Sequence, residues 1–421
     1  MTTSIAPEKP ALETPAPAVD SGAPAAPATA SPRLSSPFER LGLTGRGLSV
    51  ANWLGVAAAV YVLISAVGVI GTGFQGATGG QAESLFSFAT NPFVALMIGI
   101  VATALIQSST TTTSIVVGLT AGGLPMEIAI PILMGANVGT TLPSTLVSLG
   151  MVRDKESFRR GFTAASIHDC FNLLAVIIFL PLEMTFGVLE RLSGWLSAQA
   201  AGSDGGIFAT IFGGIGSTIK GATEPLTVGL ESSVSFIPQP WQGIVLVVVG
   251  VALILAVINF IGTLLKVLMV GRAEQVLHAA IGRGSFSGIA SGTLMTVMVQ
   301  SSTTTTALVI PLAGSGKFSL KQIYPFTLGA NIGTTLTALI AAFAFSGPAG
   351  QFALQAALVH LLYNVLAVSI IYGLPGLRQV PLRGATLIGN LGAENKLYVA
   401  LWVLGIFLAL PLGIIGLTVL L

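Results

Sequence analysis

The chain has 421 residues, of which 53% are hydrophobic and only 8% charged, with a formal net charge of +2. Soluble domains carry charge on about a quarter of their residues, so an ordinary soluble fold is excluded, and so balanced a charge leaves no footprint for nucleic acid. The single cysteine, Cys170, excludes internal disulfides and multi-cysteine metal sites.

Pro, Ala, Ser and Thr dominate residues 1–40 without the apolar core of a secretion signal, which predicts a disordered cytoplasmic tail over residues 1–50. Ala51–Phe74 is the first spanning candidate. After a Gly-rich connector, Asn91-Pro92 opens a helix. Phe93–Ile106 is apolar but covers only about 21 Å at helical rise, short of the roughly 30 Å of a bilayer core. A polar run, Gln107-Ser108-Ser109-Thr110-Thr111-Thr112-Thr113, interrupts it, and Ser114–Thr120 is apolar again. The pattern predicts a re-entrant hairpin with Gln107–Thr111 near its tip. Such backbone survives at membrane depth only inside protein or against a water-filled cavity.

Glu127–Leu149 can span, broken near Asn137-Val138-Gly139. A charged loop runs from Arg153 to Arg160, and Phe162–Leu182 spans back carrying His168, Asp169 and Asn172. Residues 183–240 read as an external connector with an interfacial segment at Ile207–Ile219. Trp241–Val270 opens the second half. A hairpin (Phe286–Gly314), a broken helix (Gln322–Phe345) and a helix (Gln351–Leu374) follow. Residues 375–421 are expected to be a cytoplasmic loop and a final span, Leu397–Leu421.

The two halves are one duplicated unit, residues 51–182 and 241–374. Gln107–Thr113 returns letter for letter at Gln300–Thr306. Gly135-Ala136-Asn137-Val138-Gly139-Thr140-Thr141 returns as Gly329-Ala330-Asn331-Ile332-Gly333-Thr334-Thr335, and His168 and Asn172 as His360 and Asn364. Lys and Arg mark cytoplasmic loops. The tail carries Arg33, Arg40 and Arg46, which places the N-terminus inside. In the first half the basic loop follows the broken helix. In the second half it follows the hairpin, at Lys317 and Lys321. Equivalent loops therefore lie on opposite faces. The expected fold is an all-α integral membrane protein of two inverted-topology repeats, each with a re-entrant helical hairpin and broken helices, plus one extra C-terminal span.

At a hairpin tip, the second half-helix presents free N–H groups and the positive end of its dipole. With the hydroxyls and carboxamide of Gln107, Ser108, Ser109 and Thr110, and of Gln300, Ser301, Ser302 and Thr303, each tip suits a small oxyanion. Lys266 lies toward a helix end, so the anion is expected to bind without a permanent positive side chain and to need a co-bound cation. Hydroxyls, carboxamides and carbonyls at helix breaks are the ligands Na+ takes in such carriers. The candidates are Gln107, Asn137, Thr140, Thr141, Asp169, Asn172, Gln300, Asn331, Thr334, Thr335 and Asn364. Asp169, whose counterpart is Leu361, is an intramembrane carboxylate and functional by default. His168 and His360 read as satisfied packing residues. Small-residue helix packing is the competing reading of the Gly-Ala-Asn segments. A P-loop fails because Pro311 and Phe318 occupy required positions, and a Ser-His-Asp hydrolase lacks its nucleophile elbow. Other oxyanions, H+ in place of Na+, and an ion channel remain as alternatives.

With the two Gln-Ser-Ser-Thr runs and His168-Asp169-Cys170-Phe171-Asn172, the chain resembles bacterial-type members of the type II sodium-dependent phosphate cotransporter family. The resemblance implies Na+-coupled symport of inorganic phosphate into the cell, with no enzyme activity and no cofactor beyond Na+. It implies two Gln-Ser-Ser hairpins meeting at the phosphate, and an Asp at 169, helped by Asn172, that goes with an extra Na+. Thr110 and Thr303 stand where members often carry Ser, and keep the hydroxyl. The expected partners are phosphate, Na+ and the lipid bilayer of the plasma membrane, with a homodimer as an allowed assembly and no nucleic acid.

Overall fold

The computed structural model describes residues 35–81, 89–201, 207–280 and 283–420, and those residues are helical with short turns between helices. Residues 1–34 of the expected tail lie outside them. The tail expectation fails at its inner end. A 3-10 turn forms over Pro37–Leu41, held by a capping box in which Ser36 accepts from the Phe38 N–H and Glu39 accepts from the Ser36 N–H. Ser36 also donates to Asn52 Oδ1 at 2.6 Å, both residues being buried. Polar anchors of this kind leave no apolar signature in a sequence.

Helix α1 runs over Gly45–Thr78, α2 over Pro92–Ile106, α3 over Ser109–Ala121, α4 over Met126–Gly139 and α5 over Leu142–Leu149. Next come α6 (Lys155–Phe186), α7 (Val188–Ala201), α8 (Ile207–Ser233) and α9 (Trp241–Ala280). The second half continues with α10 (Ser285–Val299), α11 (Ser302–Gly314), α12 (Leu320–Ala342) and α13 (Gly347–Ala367), the last extended by a π-helical turn, Val368–Tyr372. Helix α14 covers Pro375–Glu394, and α15 (Lys396–Leu404) and α16 (Leu410–Leu420) are joined by a π-helical turn at Gly405–Ala409. Among the described residues, seven helical stretches are long and apolar enough to cross a membrane: 45–78, 126–149, 155–186, 241–268, 320–342, 347–372 and 396–418. The apolar helices α2 and α10 are too short to do so.

The expected connector, residues 183–240, is mostly helical among the described residues, and two other expectations need correcting. Gly187, in the left-handed region at φ 56°, ends α6, and the Glu183 carboxylate accepts the Leu189 and Glu190 N–H groups, capping the start of α7. Residues 375–394 are likewise a helix rather than a loop. Finally, the halves do not both contain a broken helix. The first breaks at Thr140–Thr141, between α4 and α5, whereas α12 runs unbroken through Asn331–Thr335. Pro143 occupies the first turn of α5 and has no N–H for the carbonyl one turn back; Thr337 holds the equivalent place and keeps the ladder.

Packing is reciprocal between the halves. Helix α2 lies along α4 as α10 lies along α12; α3 meets α13 as α11 meets α6; α7 packs on α13 as α14 packs on α6. The glycines of the duplicated motif explain the first of these. A Cβ on Gly135 would strike the Leu96 carbonyl, and one on Gly329 the Ile289 carbonyl; a Cβ on Gly139 or Gly333 would come within 2.6 Å of the Ile100 or Thr293 carbonyl. Small residues let membrane helices approach to backbone contact, so these glycines pack while the Asn and Thr between them are left to do something else.

Candidate functional site

Each polar tip is built the same way. Gln107 ends α2 in the left-handed region, φ 58° and ψ 26°, and Gln300 ends α10 at φ 54° and ψ 29°. Among the described residues they are the two non-glycines with positive φ. Each donates its backbone N–H to a threonine carbonyl one turn back, Thr103 or Thr296, at 2.7 Å. The next residue caps the following helix: Ser108 accepts from the Thr111 N–H at 3.2 Å, and Ser301 from the Thr304 N–H at 3.1 Å. A helix start leaves its first N–H groups without backbone partners. Here those groups belong to α3 and α11. Left-handed backbone costs a non-glycine residue about 1 kcal/mol or more and persists where function requires it.

Both tips line one polar cavity of about 260 Å³. Gln107, Ser108, Ser109 and Thr110 face it from the first half, and Gln300, Ser301, Ser302, Thr303 and Thr304 from the second. All eight residues singled out at the tips are therefore brought together. The volume is ample beside the roughly 30 Å³ of one water. An adjoining apolar chamber, also about 260 Å³, shares Thr110, Ile258 and Gln300 with it and reaches Trp53. The tips differ in one respect. Gln300 donates to the Val297 carbonyl at 2.7 Å and accepts from the Thr337 hydroxyl, whereas the Gln107 side chain is exposed to the cavity.

The cavity also corrects an expectation. Helix α9 contributes Asn259, Thr263 and Lys266 to its wall, so a permanent positive charge does face the tips. Among the described residues Lys266 makes no ion pair, and no acidic side chain lines the cavity. The missed signal was a polar stripe, Asn259, Thr263 and Lys266, at helical spacing on an otherwise apolar helix.

The cation candidates gather elsewhere, at the seam between the halves. Asn172 donates to the Asn137 carbonyl at 2.7 Å and accepts from Asn331 Nδ2 at 2.8 Å. The other end of the Asn331 amide, Oδ1, meets His168 Nε2. Thr140, Thr141, Thr334 and Thr335 are buried, and each donates its hydroxyl to a carbonyl three or four residues back, Ala136, Val138, Ala330 and Ile332 respectively. A hydroxyl that has spent its proton keeps lone pairs for a cation. Asp169 is buried; its Oδ2 accepts the Trp402 indole N–H at 3.0 Å, and its Oδ1 has no hydrogen-bond partner. Asn364 departs from its counterpart Asn172 and bonds only within its own helix, to the His360 carbonyl. His360 is not the satisfied packing residue expected: it is fully buried and neither ring nitrogen is partnered.

The family model for the Na+/Pi-cotransporter matches residues 62–203 and 253–374, the two segments that carry the tips. Sodium-dependent phosphate transport protein 2A of Rattus norvegicus is 29% identical to this chain over 92% of it and 70% of its own length. The 2A protein of Ovis aries is 30% identical over 85% and 66%, and the 2B protein of Homo sapiens 29% identical over 85% and 64%. The chain thus spans about two thirds of the length of these relatives. No solved structure gives a significant match. Two matched segments, each bearing one polar tip of a shared cavity, place the chain in the Na+/Pi-cotransporter family.

Proposed function

We propose that this protein is a secondary active transporter of the plasma membrane that carries inorganic phosphate into the cell with Na+, and that it performs no enzymatic reaction. The observation that carries the reading is the single polar cavity into which both tips open. Phosphate binds there between the N-termini of α3 and α11, with hydroxyls and carboxamides from Gln107, Ser108, Ser109, Thr110, Gln300, Ser301, Ser302 and Thr303. Lys266 neutralises part of its charge. Helix N-termini and neutral donors recognise an oxyanion through its oxygens, and the lone cation lowers the cost of holding it away from bulk water.

The coupling ions take the oxygens at the seam: Asn137, Thr140, Thr141, Asp169, Asn172, Asn331, Thr334 and Thr335, with Gln107 and Gln300 linking the ion and anion sites. Asn364 is the weakest of the expected ligands, since its amide turns back to its own helix. The helix–break–helix units 92–121 and 285–314 are re-entrant hairpins of two repeats inverted in the bilayer. The reciprocal packing and the shortness of α2 and α10 support that topology. Alternating access then exposes the same cavity to each side in turn.

The test is uptake of labelled phosphate into liposomes holding the purified protein. An inward Na+ gradient should drive accumulation and a K+ gradient should not. Uptake of equal size in the two salts would remove the coupling; sulfate competing as well as phosphate would remove the substrate.

A further inference from the structure

A second polar cavity, of about 240 Å³, lies at the other end of the second-half helices, among Ser285, Lys321, Tyr324, Tyr372, Arg378 and Gln379. Ser285 begins α10 and Gln300 follows its end, so the two cavities are separated by the helix length, about 22 Å at helical rise. The walls offer donors. Among the described residues neither Lys321 nor Arg378 makes an ion pair, and no acidic side chain lines the space.

The geometry is that of a prepared site. Arg378 lies over the Tyr372 ring, 5.4 Å from its centroid, which orients the guanidinium. The Tyr372 hydroxyl donates to Ser285 Oγ at 2.8 Å, and the Ser285 proton is then free to point into the cavity. Tyr324, held edge-on to the Tyr372 ring, is 1% exposed, and its hydroxyl has no hydrogen-bond partner. A buried phenol left unpaired is costly; a bound acceptor would satisfy it.

Two unpaired cations, a buried orphan O–H and a hydroxyl donor are complementary to one chemistry. We propose that this cavity is a second anion site, distinct from the transport cavity, that takes a phosphoryl dianion: inorganic phosphate itself or the phosphomonoester headgroup of a lipid. The assignment does not depend on the transport reading.

Two arms separate the sources. Full-length protein bearing Gln107→Ala and Gln300→Ala, in phosphatidylcholine nanodiscs and Na+-free choline buffer, is titrated with labelled inorganic phosphate. Saturable binding that Arg378→Gln weakens about tenfold, and Tyr324→Phe by a smaller factor, assigns the free anion. In the second arm the background is otherwise wild type. Protein from discs containing phosphatidic acid is weighed by native mass spectrometry, and retention of that lipid by wild type but not by Arg378→Gln assigns the lipid headgroup. The proposal is overturned if phosphate binding is absent or indifferent to Arg378→Gln while both proteins retain phosphatidic acid equally. The lipid arm also covers the case in which the doubly substituted protein fails to fold.

Discussion

The Trp402 indole reaches from α15 to Asp169, donating to Oδ2 at 3.0 Å, while Oδ1 is left without a hydrogen-bond partner. Trp402 lies beyond the family-matched residues, and Asp169 within them. A buried carboxylate needs a counter-charge or a proton. One neutral N–H orients it without compensating it, so the open oxygen suits the coupling Na+ proposed above. If three Na+ accompany a divalent phosphate, each cycle moves one net charge, worth about 2.3 kcal/mol per 100 mV. Asp169→Gly should leave uptake Na+-dependent but indifferent to voltage in liposomes clamped with K+ and valinomycin. Identical voltage dependence in mutant and wild type would clear Asp169 of that role. Trp402→Phe keeps the carboxylate but loosens its orientation, and should lower apparent Na+ affinity without abolishing the voltage dependence.

Gln107 and Gln300 pair an unfavourable backbone with a useful side chain, which separates stability from transport. Glycine accepts the left-handed region freely, so in Gln300→Gly the relieved backbone, about 1 kcal/mol, should offset much of the two side-chain hydrogen bonds lost, each about 0.5–1.5 kcal/mol, and leave stability within about 2 kcal/mol of wild type. The variant should nevertheless lose phosphate uptake, because the carboxamide that links Val297 and Thr337 to the cavity is gone. Thermal unfolding and uptake measured on the same preparation check both halves of the claim. A variant that transports normally would mean that the residue serves only the turn.

Much of the tip architecture is legible in the sequence, because an apolar helix too short to span and a polar interruption repeated letter for letter leave few alternatives. The seam is only half legible. Asn137 and Asn331 occupy equivalent positions, yet one gives its carbonyl and the other its amide to Asn172, a pairing that depends on how the halves dock. Whether each motif breaks its helix turns on a single substitution, Pro143 against Thr337, outside the motif itself. Lys266 and Trp402 are harder still. Neither belongs to a duplicated motif, and their roles follow from which helix faces which cavity. The helices in 183–240 are less apolar than the spans and escape a search for apolar runs, although their amphipathic periodicity is present in the sequence.

The proposed inversion of the two repeats makes a prediction that no side-chain contact enters. In a Cys170→Ala background, single cysteines at Gly123 and Lys317 mark the turns that follow α3 and α11. Both positions are exposed. An impermeant maleimide applied to sealed, oriented vesicles should reach them from opposite faces. Labelling of both from one face would make the repeats parallel, and the basic-loop assignment of the N-terminus would then fail as well.

Lys266 yields the most specific prediction about the phosphate. It stands one helical turn from Thr263 on α9 and faces both tips across the cavity, with no acidic partner among the described residues. A hydrogen bond to a charged group contributes about 1.5–3 kcal/mol, which corresponds to roughly ten- to a hundredfold in affinity. Lys266→Gln should therefore raise the phosphate concentration for half-maximal uptake by about that factor. Maximal uptake should change less, because the lost interaction holds the anion throughout the cycle rather than at one step. Lys266→Arg keeps the charge and should recover most of the affinity. A second signature follows from charge balance. Without the ammonium, co-bound Na+ carries the whole task of compensating the anion, so phosphate affinity should depend more steeply on Na+ in Lys266→Gln than in wild type. Uptake by Lys266→Gln with unchanged half-saturation at every Na+ concentration would show that the anion is held by the helix ends and hydroxyls alone.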